Sequence, residues 1–166
     1  MITGIIVAGG KSSRMGKDKS LINSNVKRLA DEMRNYGCDN VIVMCGSADR
    51  SHLFDEKCIS DSAETLAESL FDLISITDGR IQIAPCDAYL ADAELFSAIE
   101  GVPVDDSNVR QPLLANIDAD SMLIRNVKLT EMFRKVPSCS GGIKARNTNT
   151  PEQLKEIQSL LQQEDL

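Results

Sequence analysis

Apolar and polar positions along the chain fall into blocks that alternate between strand-like and helix-like periods. Residues 2–8, ITGIIVA, are a short run rich in β-branched side chains that stops at Gly9 and Gly10, the pattern of a buried parallel strand. Residues 24–36, SNVKRLADEMRNY, place Val26, Leu29, Met33 and Tyr36 on one helical face before Gly37 ends the run. NVIVMC at 40–45 predicts a second buried strand ended by Gly46, and a short strand is expected at 57–60. In SAETLAESLFDLIS, 62–75, Leu66, Leu70 and Leu73 form an apolar stripe behind Ser62 as N-cap, with Thr65 too short to complete a capping box for it. GRIQIAP at 79–85 is a strand between Gly and Pro, and 91–99 a short helix. VRQPLLANI at 109–117 reads as extended, with Pro112 confining its middle to an edge or a bulge. A helix is expected over 121–134, a short strand over 142–146, and a helix over 150–163 with Thr150 as cap, Pro151 at N1 and Gln153 at N3.

This alternation predicts an α/β fold with right-handed crossovers and a mostly parallel sheet covered on both faces. No repeat, linker or low-complexity tract interrupts the 166 residues, which suit a single domain spanning 1–166. Ligands of such sheets bind beyond the carboxyl ends of the strands. That rule singles out 8–19, 46–56, 59–62, 85–90 and 147–150.

Charge and cysteine content narrow the classes. The formal net charge of -7, from 18 basic and 25 acidic side chains, argues against a broad nucleic-acid footprint. An anion must therefore be met by a local cluster, and KSSRMGKDK at 11–19 supplies one. Five cysteines, Cys38, Cys45, Cys58, Cys86 and Cys139, form no CxxC pair and read as reduced thiols, while His52 is the sole histidine and lies in a polar stretch. The apolar start is too short to span a membrane and no basic segment precedes it, so a soluble cytoplasmic protein is expected, with no membrane partner and no nucleic acid. The expected assembly is a monomer or a weak homo-oligomer.

Five segments carry candidate chemistry. In AGGKSSRMGKDK, 8–19, Gly9 and Gly10 lack Cβ and allow backbone N–H groups to approach a phosphate closely. Ser12 and Ser13 add hydroxyl donors, Arg14 a planar fork and Lys19 a mobile point charge. The spacing matches neither the Walker A loop nor GxGxxG. Asp87, in PCDAYL just after a strand, is either a helix-cap or surface charge or, beside such a loop, a carboxylate for Mg²⁺ against bound phosphates. Asp61 either accepts from a base or ribose or sits near a helix N-terminus, where negative charge is favoured. Asn147 and Asn149 flank Thr148 ahead of the last helix, as ligand or metal contacts or as plain turn residues. Arg110 and Gln111 lie beside a core strand, either toward a second substrate or along a solvated edge.

On these residues the chain resembles the molybdenum cofactor guanylyltransferases, within the wider group of sugar-phosphate and cofactor nucleotidyltransferases. GIIVAGGKSSRMGKDKSL matches that family's signature loop nearly completely, PCD at 85–87 its metal-binding Asp motif, and NTNTPEQL at 147–154 its closing motif. RQPLLA at 110–115 is similar to its substrate-side stretch. The resemblance implies a three-layer α/β/α sandwich with a Rossmann-like, mostly parallel sheet and a short antiparallel element, as in nucleotide-diphospho-sugar transferases. It implies transfer of GMP from GTP to molybdopterin or its molybdenum-loaded form, with Mg²⁺ required and pyrophosphate released. Ala8, Gly9, Gly10, Ser12 and Ser13 would then contact the nucleotide, Arg14 and Lys19 neutralise its phosphates, and Asp87 bind the metal. Asp61 would lie by the guanine nucleotide, and Asn149 would close the site as a further metal contact. Lys11 and Lys17 fall where solvent is expected. The chain departs from the family in LINSNVKRLADE, which is shorter than the usual continuation of the loop, in DSAETLAESL, which lacks the usual Gly and Pro, and in Ala88, where Pro is usual. Two alternatives stay open: another NTP such as CTP with a phosphorylated acceptor, or a relative that binds nucleotide without turnover.

Overall fold

The structure, a computed structural model, describes residues 1–8, 19–46, 57–60, 62–118 and 121–146, together with Lys155 and Ser159; for 19–24 and 46 it describes the backbone alone. The elements are β1 (Ile2–Val7), α1 (Lys19–Tyr36), β2 (Asn40–Gly46), β3 (Lys57–Ser60), α2 (Leu66–Ser75), β4 (Arg80–Pro85), α3 (Ala93–Ala98), β5 (Val102–Asp105), β6 (Asn116–Ile117), α4 (Leu129–Met132) and β7 (Ser138–Gly142). Five strands make the main sheet in the order β3-β2-β1-β4-β6. The first four are parallel, and β6 runs antiparallel to β4. β5 and β7 pair in parallel as a second, two-stranded sheet. Gly101, just before β5, bridges antiparallel to Asn116, so β5 points the same way as β4.

Alternation along β1 divides the core. Ile6 and Ala8 face one layer with Val26, Leu29 and Met33 of α1 and Phe96 of α3. Ile5 and Val7 face the other with Leu70 and Leu73 of α2 and Met132 and Phe133. Burying each of the large aliphatic side chains contributes about 1.5–3 kcal/mol, so both helical layers are held by the same six-residue strand. The α/β reading, with its covered, mostly parallel sheet, holds.

A polar strip crosses this core where β4 meets β6. Gln82 and Asn116 are direct partners in that pairing, and both are buried. Asn116 Nδ2 donates to Gln82 Oε1 (2.9 Å) and to the Tyr36 hydroxyl (2.9 Å), and its Oδ1 accepts from Arg80 Nη1 (2.6 Å). Gln82 Nε2 donates to the carbonyls of Ile83 and Leu114. With these bonds made, neither amide pays the desolvation penalty of an unmet group.

Several boundaries differ from expectation. Helix α1 begins at Lys19 rather than at 24; Ile22 stands four residues before Val26 and continues the same stripe in sequence. Helix α2 begins at Leu66, capped by Thr65 rather than Ser62. Thr65 Oγ1 accepts from the Glu68 N–H (3.2 Å) and its hydroxyl donates to the Glu68 carboxylate (2.9 Å). The T-x-x-E spacing is thus a cap of its own. The stretch 109–117 is not one strand: Arg110 bridges to Val104, Pro112–Leu114 is a 3₁₀ turn, and only Asn116–Ile117 pair with β4. Pro112 starts that turn, where its missing N–H costs nothing.

The helix expected over 121–134 shrinks to Leu129–Met132. Asn126 Oδ1 accepts from the Lys128 N–H (3.0 Å), a local bond that competes with helix. The strand expected at 142–146 lies earlier, at Ser138–Gly142, and Ile143–Ala145 is a 3₁₀ turn. Gly142 at φ 65° ends the strand, and a Cβ on Gly141 would meet the Cβ atoms of Ala145 (2.6 Å) and Pro103 (2.8 Å). The expected helix at 150–163 falls outside the described residues except for Lys155 and Ser159, both helical and exposed. No helix among the described residues is long and apolar enough to cross a membrane.

Candidate active site

The candidate site forms where β1 and β4 end together. Val7 pairs with Pro85, and the Cys86 N–H donates to the Val7 carbonyl (3.0 Å). On the other side of β1, the Ala8 N–H donates to the Met44 carbonyl (2.8 Å). Ala8 and Cys86 are therefore the last residues tied into the sheet. Beyond Ala8 the chain enters the glycine segment; beyond Cys86 it enters a tight turn that presents Asp87. That turn is closed by the Ala88 N–H on Pro85 O (3.1 Å) and the Tyr89 N–H on Asp87 O (3.0 Å).

Asp87 is half-buried, and no cation among the described residues forms an ion pair with it. Burial lifts its carboxyl from the ordinary 3.8 to about 6, opposed in part by a hydrogen bond from its own backbone. It is thus mainly ionised at neutral pH, in a setting where that charge is poorly solvated. Such a carboxylate fits a hard cation. The described residues hold no cluster of three or more His, Cys, Asp or Glu.

Ala8 and Asp87 are brought together at adjacent strand ends, and Lys19 opens α1 directly after the glycine segment. Gly9, Gly10, Ser12, Ser13, Arg14, Asp61 and Asn149 lie outside the described residues, as do Asn147 and the side chain of Lys19. Arg110 and Gln111, read in sequence as facing either a second substrate or solvent, are both engaged within the protein. Arg110 donates to Ser138 Oγ (2.6 Å) and to the carbonyls of Phe133 (2.9 Å) and Val136 (3.0 Å). Gln111 Nε2 donates to Asp105 Oδ2 (2.9 Å).

Four side chains at this rim were not singled out in sequence. Asn25 and Arg28 of α1 bond to the carbonyls of the Asp87 loop: Asn25 Nδ2 to Cys86 (2.8 Å), Arg28 Nη2 to Ala88 (2.9 Å) and Nη1 to Ala91 (2.7 Å). The available signal is two polar residues at i, i+3 beside Val26 and Leu29, where a helix of this pattern should be apolar. Lys144 and Arg146 anchor the approach to the closing motif. Lys144 Nζ pairs with Asp92 Oδ2 (2.7 Å), whose other oxygen caps α3, and Arg146 pairs with Asp106. Ala145, between them, is fully buried and packs in the same core layer as Ala8, Cys86 and Ala88. A separate cavity of about 610 Å³, lined by Arg80, Glu100, Asn116, Asp118, Ser121 and Cys139 among others, sits at the opposite end of β4.

A parallel sheet continued by one antiparallel strand, with a desolvated carboxylate at the end of one strand and a glycine segment next in sequence after its neighbour, is an α/β arrangement with its candidate site at the carboxyl ends of the strands. The chain belongs to the MobA-like NTP transferase domain family, which it matches over residues 4–119. Solved structures share the fold. A protein from Aquifex aeolicus VF5 is 16% identical with a TM-score of 0.67, the match covering 89% of this chain and 93% of that one. The 4-diphosphocytidyl-2C-methyl-D-erythritol synthase of Anaerococcus prevotii is 16% identical with a TM-score of 0.57, covering 98% of both. The bifunctional IspDF of Campylobacter jejuni is 14% identical with a TM-score of 0.60, covering 93% of this chain and 53% of that one. No curated protein sequence matches.

Proposed function

We propose that this protein is a GTP- and Mg²⁺-dependent guanylyltransferase that transfers GMP to molybdopterin or its molybdenum-loaded form and releases pyrophosphate. Family membership supports the reaction type. The sequence match of 8–19 and 147–154 to the molybdenum cofactor guanylyltransferases supports the base and the acceptor. The observation that carries the reading is the meeting of Ala8 and Asp87 at adjacent strand ends, locked by the Cys86-to-Val7 hydrogen bond.

In this reading the glycine segment receives the triphosphate along backbone N–H groups, and Arg14 and Lys19 offset its charge. Asp87 would hold Mg²⁺, which when bound neutralises phosphate charge as a Lewis acid. A phosphate oxygen of the pterin acceptor attacks the α-phosphorus in line, and the bond to the departing pyrophosphate breaks. The acceptor is already an anion, so the protein needs no general base and no covalent nucleophile. Its work is to align the two reactants and to offset charge. Asp61, accepting from the N1–H and exocyclic amine of guanine, would favour GTP over CTP and ATP. Asn149 would close over the metal.

The test is pyrophosphate release by the purified protein with each NTP and Mg²⁺, with and without molybdopterin. Release with GTP and molybdopterin together is the expected result. Release with CTP in its place would move the base assignment. No release with any NTP would leave a nucleotide-binding relative.

A further inference from the structure

Arg28 is a partly buried guanidinium with an unusual set of partners. Its Nη2 and Nη1 donate to the carbonyls of Ala88 (2.9 Å) and Ala91 (2.7 Å), and its Nε donates to Asn25 Oδ1 (2.8 Å). Asn25, itself buried, passes the contact on by donating to the Cys86 carbonyl (2.8 Å). The three carbonyls bracket Asp87, one residue before it and one and four residues after it. Both side chains come from α1, an uninterrupted helix whose first residue, Lys19, directly follows the glycine segment. One rigid element therefore leaves the phosphate-side segment and grips the backbone that presents the carboxylate.

Glu32 and Asp92 are close enough to act on the charge of Arg28. Among the described residues Arg28 forms an ion pair with neither; its two Nη donors go to main-chain oxygens and its Nε to Asn25 Oδ1, where a planar fork fixes direction as well as distance.

We propose that Asn25 and Arg28 are positioning residues that fix the height and direction of Asp87 relative to α1 before nucleotide and metal arrive. This rests on the reading of Asp87 as the metal carboxylate. A carboxylate whose supporting loop is already ordered binds its cation without an ordering penalty. Lysine cannot replace the arginine, since a single ammonium on a flexible stem cannot span the carbonyls of 88 and 91 while also engaging Asn25.

The experiment uses Mn²⁺ as the metal probe, with free Mn²⁺ followed by electron paramagnetic resonance. The protein carries the α,β-methylene analogue of whichever of GTP, CTP and ATP binds the unaltered protein most tightly. Wild type, Arg28→Lys, Asn25→Ala and Asp87→Asn are compared. Arg28→Lys is expected to raise the Mn²⁺ concentration for half-saturation about tenfold, while nucleotide affinity in EDTA changes less than about twofold. Amide hydrogen exchange across 83–92 in the metal-free protein is expected to quicken in the same variant. Asn25→Ala is expected to act in the same direction, and it carries the test if Arg28→Lys does not fold. If both variants bind Mn²⁺ as wild type does, with or without a loss of melting temperature, while Asp87→Asn no longer responds to it, positioning is refuted and the Asp87 reading stands. If Asp87→Asn itself keeps the wild-type Mn²⁺ response, the Asp87 reading falls and this proposal with it.

Discussion

Replacing Asp87 by Asn should make the metal-free protein more stable and a poorer catalyst. The native carboxyl holds its proton up to about pH 6, against 3.8 when exposed. Below 3.8 the group is protonated in both states and contributes nothing. Between 3.8 and 6 the folded state binds more protons than the unfolded one, so stability falls as pH rises; above 6 the full penalty applies. The gap from 3.8 to about 6 corresponds to about 3 kcal/mol, and the partial exposure of the side chain reduces this to about 1–3 kcal/mol. Asn keeps the shape and removes the charge. At pH 7.5 Asp87→Asn should therefore gain about 1–3 kcal/mol in urea unfolding, and the two proteins should converge near pH 4. Turnover should drop at least about tenfold, because metal polarisation contributes several kcal/mol to such transfers. Urea titrations at pH 4, 5, 6 and 7.5, with pyrophosphate release on the same samples, read both effects. An Asn variant that is less stable at pH 7.5 would show that the carboxylate is satisfied in the folded state, and a difference that persists at pH 4 would show that charge is not its cause; either would sink the argument from desolvation.

Three further outcomes are expected. Thr65→Ala removes the α2 cap and should lower stability by about 1 kcal/mol, seen as a fall of about 2–4 °C in melting temperature, whereas Ser62→Ala should leave it nearly unchanged. Lys144→Met breaks the part-buried pair with Asp92; stability should fall by about 1 kcal/mol and NTP turnover by several fold, while a turnover equal to wild type would detach the closing motif from the site. Gly101 has φ +97°, and a Cβ there would lie 2.3 Å from the Pro137 carbonyl oxygen, so Gly101→Ala should lose about 3 kcal/mol or more by denaturant midpoint.

The strands of the main parallel sheet were legible because their information is local. ITGIIVA, NVIVMC and GRIQIAP are β-branched runs closed by Gly or Pro, and burial on both faces leaves such runs few alternatives. β5 and β7 were not legible: VPVD carries a proline and SCSGG has no β-branched residue, and their ladder joins segments 36 residues apart by the Val102–Ser138 register. The helix expected at 121–134 failed because its apolar residues serve different ends. Met132 is buried under the sheet, whereas Met122 and Val127 stay exposed, and a periodicity count does not separate them. At the site, the strand-end rule located Ala8 and Asp87. It missed Asn25 and Arg28 because they act through backbone carbonyls, which leave no mark in the sequence of the loop they hold.

The buried Gln82–Asn116 pair has a consequence for where the chain turns back. β6 contributes only two residues to the sheet, too few for hydrophobic alternation to choose among neighbouring alignments. Two side-chain amides facing each other do choose. Sliding β6 by one residue would break the bond between them and leave Gln82 Oε1 inside the protein without that donor, at about 1–3 kcal/mol for an unsatisfied group. The pair therefore works as an alignment mark more than as a source of stability. Because Gly101 pairs with that same Asn116, the mark also fixes the start of β5, and through β5 the place of β7 beside it. Apolar replacements at both positions would keep the layers packed but leave the second sheet free to dock at more than one offset.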